Sequence, residues 1–134
     1  SGEMPKNLVI AQKLVVNKFD VFLLSNPTST KSADFVLRKR NCLYYVEGKT
    51  SSGGSALSTR MEEGNKQADR IVVNFISYPS LHEIFSLVKT TFYKYPQLKE
   101  LFLLKGSRLI DIKRDFSESV NFEERFTKLW GQRK

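Results

Sequence analysis

The 134 residues include one cysteine, one histidine, one tryptophan and four prolines. A lone Cys42 cannot form an internal disulfide or anchor a cysteine-based zinc site. Its place in an apolar, strand-like run predicts a small core residue. A lone His82 excludes general acid–base chemistry by a histidine pair within one chain. No apolar run approaches the ~20 residues that a membrane span needs, and the N-terminus is too polar for a signal peptide. Helical periodicity begins almost directly after Ser1-Gly2-Glu3, which gives the expectation of a domain excised from a longer protein. There is no internal repeat, and the only biased stretch is Ser/Gly-rich, from Thr50 to Ser55.

What the chain does contain is core material and positive charge. Ten Phe, five Tyr and one Trp, within 40% apolar and 27% charged residues, suit one globular domain. The 22 Lys and Arg against 14 Asp and Glu leave a net +8. The surplus is spread out: 8 against 4 in residues 1–50, 6 against 5 in 51–100 and 8 against 5 in 101–134. No basic tail stands alone, and a diffuse surplus of this kind favours a polyanionic partner.

Hydrophobic periodicity predicts the elements. Leu8, Ala11, Leu14, Val15 and Phe19 recur at helical spacing over residues 4–18. Strands are expected at 20–24, 34–38 and 43–49, with a loop at 25–30 and a hairpin turn at Lys39-Arg40-Asn41. A flexible loop (50–55) and a polar helix (57–68) follow, then a β-branched strand (71–76). Pro79-Ser80 opens a helix anchored by Leu81, Ile84, Phe85, Val88 and Phe92, and Pro96 ends it. Strands at 98–104 and 108–113 flank a tight turn, and one short helix is expected from Asp115 onward. The order predicts an α/β fold with a mixed central sheet flanked by helices.

One constellation carries chemistry. Side chains alternate along a strand, so Glu47 and Lys49 should share a face. A carboxylate ending an apolar run is costly without a cation or metal partner. Counting back from the hairpin turn pairs Asp34 with residue 46 or 47, which puts two carboxylates and a lysine at one end of the hairpin. Two close carboxylates suit Mg²⁺, with Mn²⁺ and Zn²⁺ as alternatives; oxygen ligands favour the first two. Such a metal polarises a phosphoryl oxygen and activates water, and the lysine can orient that water or stabilise charge on the phosphate. Arg38, Lys39 and Arg40 make a basic turn suited to a nucleic-acid backbone. Ser51 and Ser52, just after the lysine, are candidate phosphate contacts. The glycine between Glu47 and Lys49 marks either a bulge or a close approach, and a bulge would turn the two side chains to different faces.

Ala33-Asp34, followed by Glu47-Gly48-Lys49, resembles the PD-(D/E)xK nuclease motif with Ala in place of Pro. The element order is similar to the restriction endonuclease-like αβββαβ core. More narrowly, the chain resembles the C-terminal nuclease toxin domains of contact-dependent growth inhibition and related polymorphic-toxin or phage-associated proteins. Lys66-Gln67-Ala68-Asp69-Arg70 before Ile71-Val72-Val73 strengthens the likeness, which covers about residues 1–113. It implies a metal-dependent endonuclease acting on tRNA or DNA in the cytoplasm. It also implies an immunity protein as partner and a larger secreted or phage-associated parent. Asp34, Glu47 and Glu3 would hold the metal, Lys49 would assist the attacking water, and Gln67 would support catalysis. Residues 114–134 would be a C-terminal helical extension of the same domain. The rival reading is a catalytically inactive module of this fold that binds nucleic acid or a protein.

Overall fold

A computed structural model describes residues 3–24, 34–51 and 69–131, with the side chains of Glu3 and Met4 left out. Ten elements run in the order α1 (Glu3–Val16), β1 (Asp20–Leu23), β2 (Phe35–Lys39), β3 (Cys42–Ser51), β4 (Arg70–Phe75), α2 (Leu81–Lys94), β5 (Glu100–Lys105), β6 (Arg108–Lys113), α3 (Arg114–Glu118) and α4 (Phe122–Gly131). The six strands form one mixed sheet in sequential order. β1–β2, β2–β3 and β5–β6 are antiparallel, whereas β3–β4 and β4–β5 are parallel. The expected loop at 25–30 and helix at 57–68 lie outside the described residues.

Two apolar layers cover the sheet. On one face α1 buries Ile10, Ala11 and Leu14 against Phe35, Leu37, Val46, Val72, Phe102 and Leu104. On the other, α2 and α4 bury Ile84, Val88, Phe92, Phe122, Phe126 and Trp130 against Ile71, Val73, Leu101, Leu103, Ile110 and Ile112. Alternation along each strand assigns odd and even positions to opposite layers. At ~25 cal/mol per Å² of apolar area, these layers are the main favourable term in folding.

Helix ends follow local chemistry. Ser80 caps α2 by accepting from the Glu83 N–H while the Glu83 carboxylate accepts from the Ser80 N–H, a reciprocal capping box. Lys18 takes the left-handed conformation (φ 76°), and the Phe19 N–H reaches back to the Leu14 carbonyl. That stops α1 at Val16, short of the expected Lys18.

Several expectations are corrected. Ala11, Leu14 and Phe19 are buried as expected, but Leu8 and Val15 are exposed and Ile10 is buried, so the buried stripe of α1 is narrower and shifted. Apolar residues surround this helix, and its spacing is compatible with more than one face. Cys42 is exposed at the first position of β3, beside the turn. Thr50 and Ser51 continue β3 because β4 supplies a parallel ladder out to Ser51↔Phe75. The tail is two helices. Its aromatic rings belong to the core: Phe122 and Phe126 lie 5.6 Å apart, and Trp130 meets Phe75 edge-on at 5.9 Å. Among the described residues no helix is long and apolar enough to cross a membrane.

Candidate active site

β2 and β3 meet in the register Phe35↔Val46 through Lys39↔Cys42. The ladder ends at Phe35↔Val46: the Asp34 N–H donates to the Val46 carbonyl at 3.0 Å, one residue off its register. Asp34 thus stands beside Val46, within the expected 46–47. Its carboxylate Oδ2 accepts from the Gly48 N–H at 2.9 Å, which fixes the carboxylate on the backbone between Glu47 and Lys49.

β3 is regular through this point. Its parallel ladder to β4 runs unbroken from Val46↔Arg70 to Ser51↔Phe75, so there is no bulge. Glu47 and Lys49 project from one face, with Lys49 Nζ 3.4 Å from Glu47 Oε2. Glu47 is only 2% exposed. Taking a carboxylate this far from water is tolerable only with a compensating cation, and Lys49 is placed to provide it.

Gly48 is a close approach. A Cβ there would lie 2.7 Å from Phe35 Cε2 and 3.2 Å from Ile10 Cδ1. The missing side chain lets α1 press onto β3 and brings Lys6 and Asn7 beside Gly48, Lys49 and Thr50, where these five residues line a shallow pocket. The sequence reading missed Lys6 and Asn7. The glycine was the available signal, because a close approach implies a neighbour on the facing helix. Glu3 is the first residue of α1, and its side chain lies outside the described residues.

The other candidates are dispersed. Gln67 and Ser52 lie outside the described residues. Ser51 is buried in β3, so it is not the solvent-facing loop residue expected. The basic turn is split between faces. Arg38 shares the Glu47 face and pairs with Asp20 at 3.0 Å. Lys39 lies on the opposite face, 4.7 Å from the Phe19 ring centre, and donates to the Asn17 carbonyl. Arg40 occupies the turn itself at φ 59°.

A second polar network joins β4 to β5. Arg70 pairs with Glu100 at 2.9 Å and Asp69 at 3.1 Å, and its guanidinium lies 4.4 Å from the Tyr44 ring centre. Lys99 adds a contact to Asp69 at 3.3 Å. Burial, reinforced by a hydrogen bond to Asp111, pushes the Glu100 carboxyl above the ordinary carboxylate range, and Arg70 only partly opposes this. Across the sheet, burial lowers the Lys13 ammonium, whose Nζ donates to Asn74 Oδ1 at 2.6 Å.

No protein-family description matches the chain, and no curated protein does. The solved structure of the CdiA-CT/CdiI toxin and immunity complex from Burkholderia pseudomallei contains a similar chain. The likeness has a TM-score of 0.58 at 18% identity and covers 84% of this chain and 89% of that one. The mixed α/β architecture is thus one found in a chain of that toxin and immunity complex.

Proposed function

We propose that this chain is a metal-dependent nuclease that hydrolyses phosphodiester bonds of tRNA or DNA, as a toxin-type domain of a larger protein. The observation that supports the reading most strongly is the placement of the Asp34 carboxylate on the Gly48 N–H, between the paired Glu47 and Lys49. Together they form a compact acid–acid–lysine group on one strand and its neighbour. The likeness to a chain of a toxin–immunity complex supports the toxin-type role and an immunity protein as partner.

The donor chemistry fits a small hard cation. Among the described residues no group of three His, Cys, Asp or Glu side chains could hold a metal. Mg²⁺ characteristically takes one or two carboxylates and completes its shell with waters and substrate phosphate. Asp34 and Glu47 would be those ligands, with Glu3 the candidate third from α1. A bound cation would polarise the phosphoryl oxygen and acidify a bound water. The backbone hydrogen bond from Gly48 orients the Asp34 carboxylate. Lys49, held by Glu47, orients the attacking water and offsets charge on the phosphate. Gln67 and Ser52 are proposed to assist from the segment after β3.

The test incubates plasmid DNA and total tRNA with the protein in Mg²⁺ or EDTA, beside Asp34→Ala and Lys49→Ala. Cleavage is expected for the wild type with metal and not for Asp34→Ala or in EDTA, and loss of the lysine alone should slow it by about 10²–10³-fold. Equal cleavage by all three proteins would overturn the reading. Cleavage of neither substrate would favour the inactive binding module.

A further inference from the structure

Among the described residues, the outer strands β1–β3 carry exposed apolar side chains on the sheet face opposite α1. Phe35 and Leu37 point to α1, so their neighbours Val36 and Arg38 point to the other side, where Glu47 and Lys49 also lie. The ladder aligns Phe22, Val36 and Tyr45 in one row across β1, β2 and β3, and Asp20, Arg38 and Leu43 in the next. Phe22 is 47% exposed, Tyr45 42% and Leu43 57%. The Arg38 guanidinium lies 5.6 Å from the Phe22 ring centre and is held there by Asp20.

We propose that this surface is a stacking platform for unpaired nucleotides and that the preferred substrate of the site is a single-stranded segment. The inference rests on the nuclease reading for its chemistry, and on this face alone for its substrate class. Leu43, Tyr45, Glu47 and Lys49 follow one another on a single face of β3, about 6.7 Å apart. Stacked bases in a duplex strand rise only about 3.4 Å. Side chains at twice that spacing match an extended, unstacked strand, with a base on the Tyr45 ring, Leu43 flanking it and a phosphate at Lys49. Ring faces and guanidinium planes on a sheet recognise unpaired bases in this manner, whereas a duplex keeps its base faces covered. The net charge of +8 complements the phosphates, and the platform is continuous with the acid–lysine group.

The test measures fluorescence anisotropy of a labelled ten-nucleotide RNA and its DNA equivalent, each single-stranded and annealed to its complement. EDTA is present, so binding is read without cleavage. The wild type should bind single strands at least tenfold more tightly than duplexes. Tyr45→Ala should weaken single-strand binding by about 5- to 100-fold, the effect of losing one base–aromatic stack. Tyr45→Phe should restore it, and duplex binding should not change. Tyr45-dependent binding without cleavage in Mg²⁺ would sustain the platform while the nuclease reading falls. Equal affinity for single strands and duplexes, or an unaltered Tyr45→Ala, would overturn the platform. So would binding of an immunity protein that depends on Tyr45 where nucleic acid does not bind. Melting curves of both Tyr45 variants separate loss of binding from loss of fold.

Discussion

In the half of the sheet formed by β4 and β5, every residue from Ile71 to Phe75 and from Glu100 to Leu104 is buried, between α1 on one side and α2 and α4 on the other. In the half formed by β1–β3, one face packs on α1 and the other meets solvent through Phe22, Leu43 and Tyr45. The candidate catalytic group lies on β3, at the boundary between the two. The covered half offers apolar area and rigidity. The open half offers access, and a substrate must reach both the acids and the surface beside them. Stability and chemistry are therefore carried by different strands, and β3 belongs to both.

Substitutions can break this contrast. The largest effect is expected in the covered half. Phe126→Ala removes a fully buried ring that contacts Phe122 and Trp130. It should cost about 3–5 kcal/mol in chemical denaturation, and a loss below 1 kcal/mol would refute the division. Gly48→Ala tests the boundary. Its Cβ would press Phe35 and Ile10 from 2.7 and 3.2 Å, at an expected cost of about 1–3 kcal/mol. Cleavage should fall with it, because Asp34 is anchored on the Gly48 N–H; unchanged stability would mean that α1 yields freely.

Glu100→Gln probes the polar seam. A carboxyl raised on folding contributes stability that is full below its unfolded pKa of about 4.5 and is lost as pH rises through the folded value. The wild-type denaturation midpoint should fall across that window relative to Glu100→Gln, and an unchanging difference between the two proteins would contradict it. The smallest effect belongs to the open half. Leu43→Ala removes a side chain that is 57% exposed and should move stability by no more than about 0.5 kcal/mol. A loss above 1 kcal/mol would show that this face is covered by packing.

The sheet was readable in the sequence to the extent that its strands are short and β-rich. β4 and β5 appear as continuous apolar runs because both of their faces are buried. The nearness of Asp34 to residues 46–48 was readable because a hairpin register counts outward from its turn. The buried face of α1 was readable only in part: Ala11, Leu14 and Phe19 are buried, but Leu8, Val9, Ile10 and Ala11 are consecutive and spacing alone does not choose Ile10 over Leu8. The separation of Arg38 from Lys39 follows from strand alternation. The expected hairpin turn begins at Lys39, whereas the ladder continues to Lys39↔Cys42 and leaves only Arg40 and Asn41 between the strands.

Local sequence was enough to determine the order of the six strands and the α2 capping box, because each depends on spacing within a few residues. Long-range packing determined the rest. Gly48 could mark a bulge or a contact until α1 was seated against it. The last twenty residues joined the core only when Phe122, Phe126 and Trp130 met the strands. The exposure of Phe22, Leu43 and Tyr45 was likewise decided by packing, because among the described residues α2 and α4 cover β4–β6, and no spacing within a strand records where a distant helix will lie.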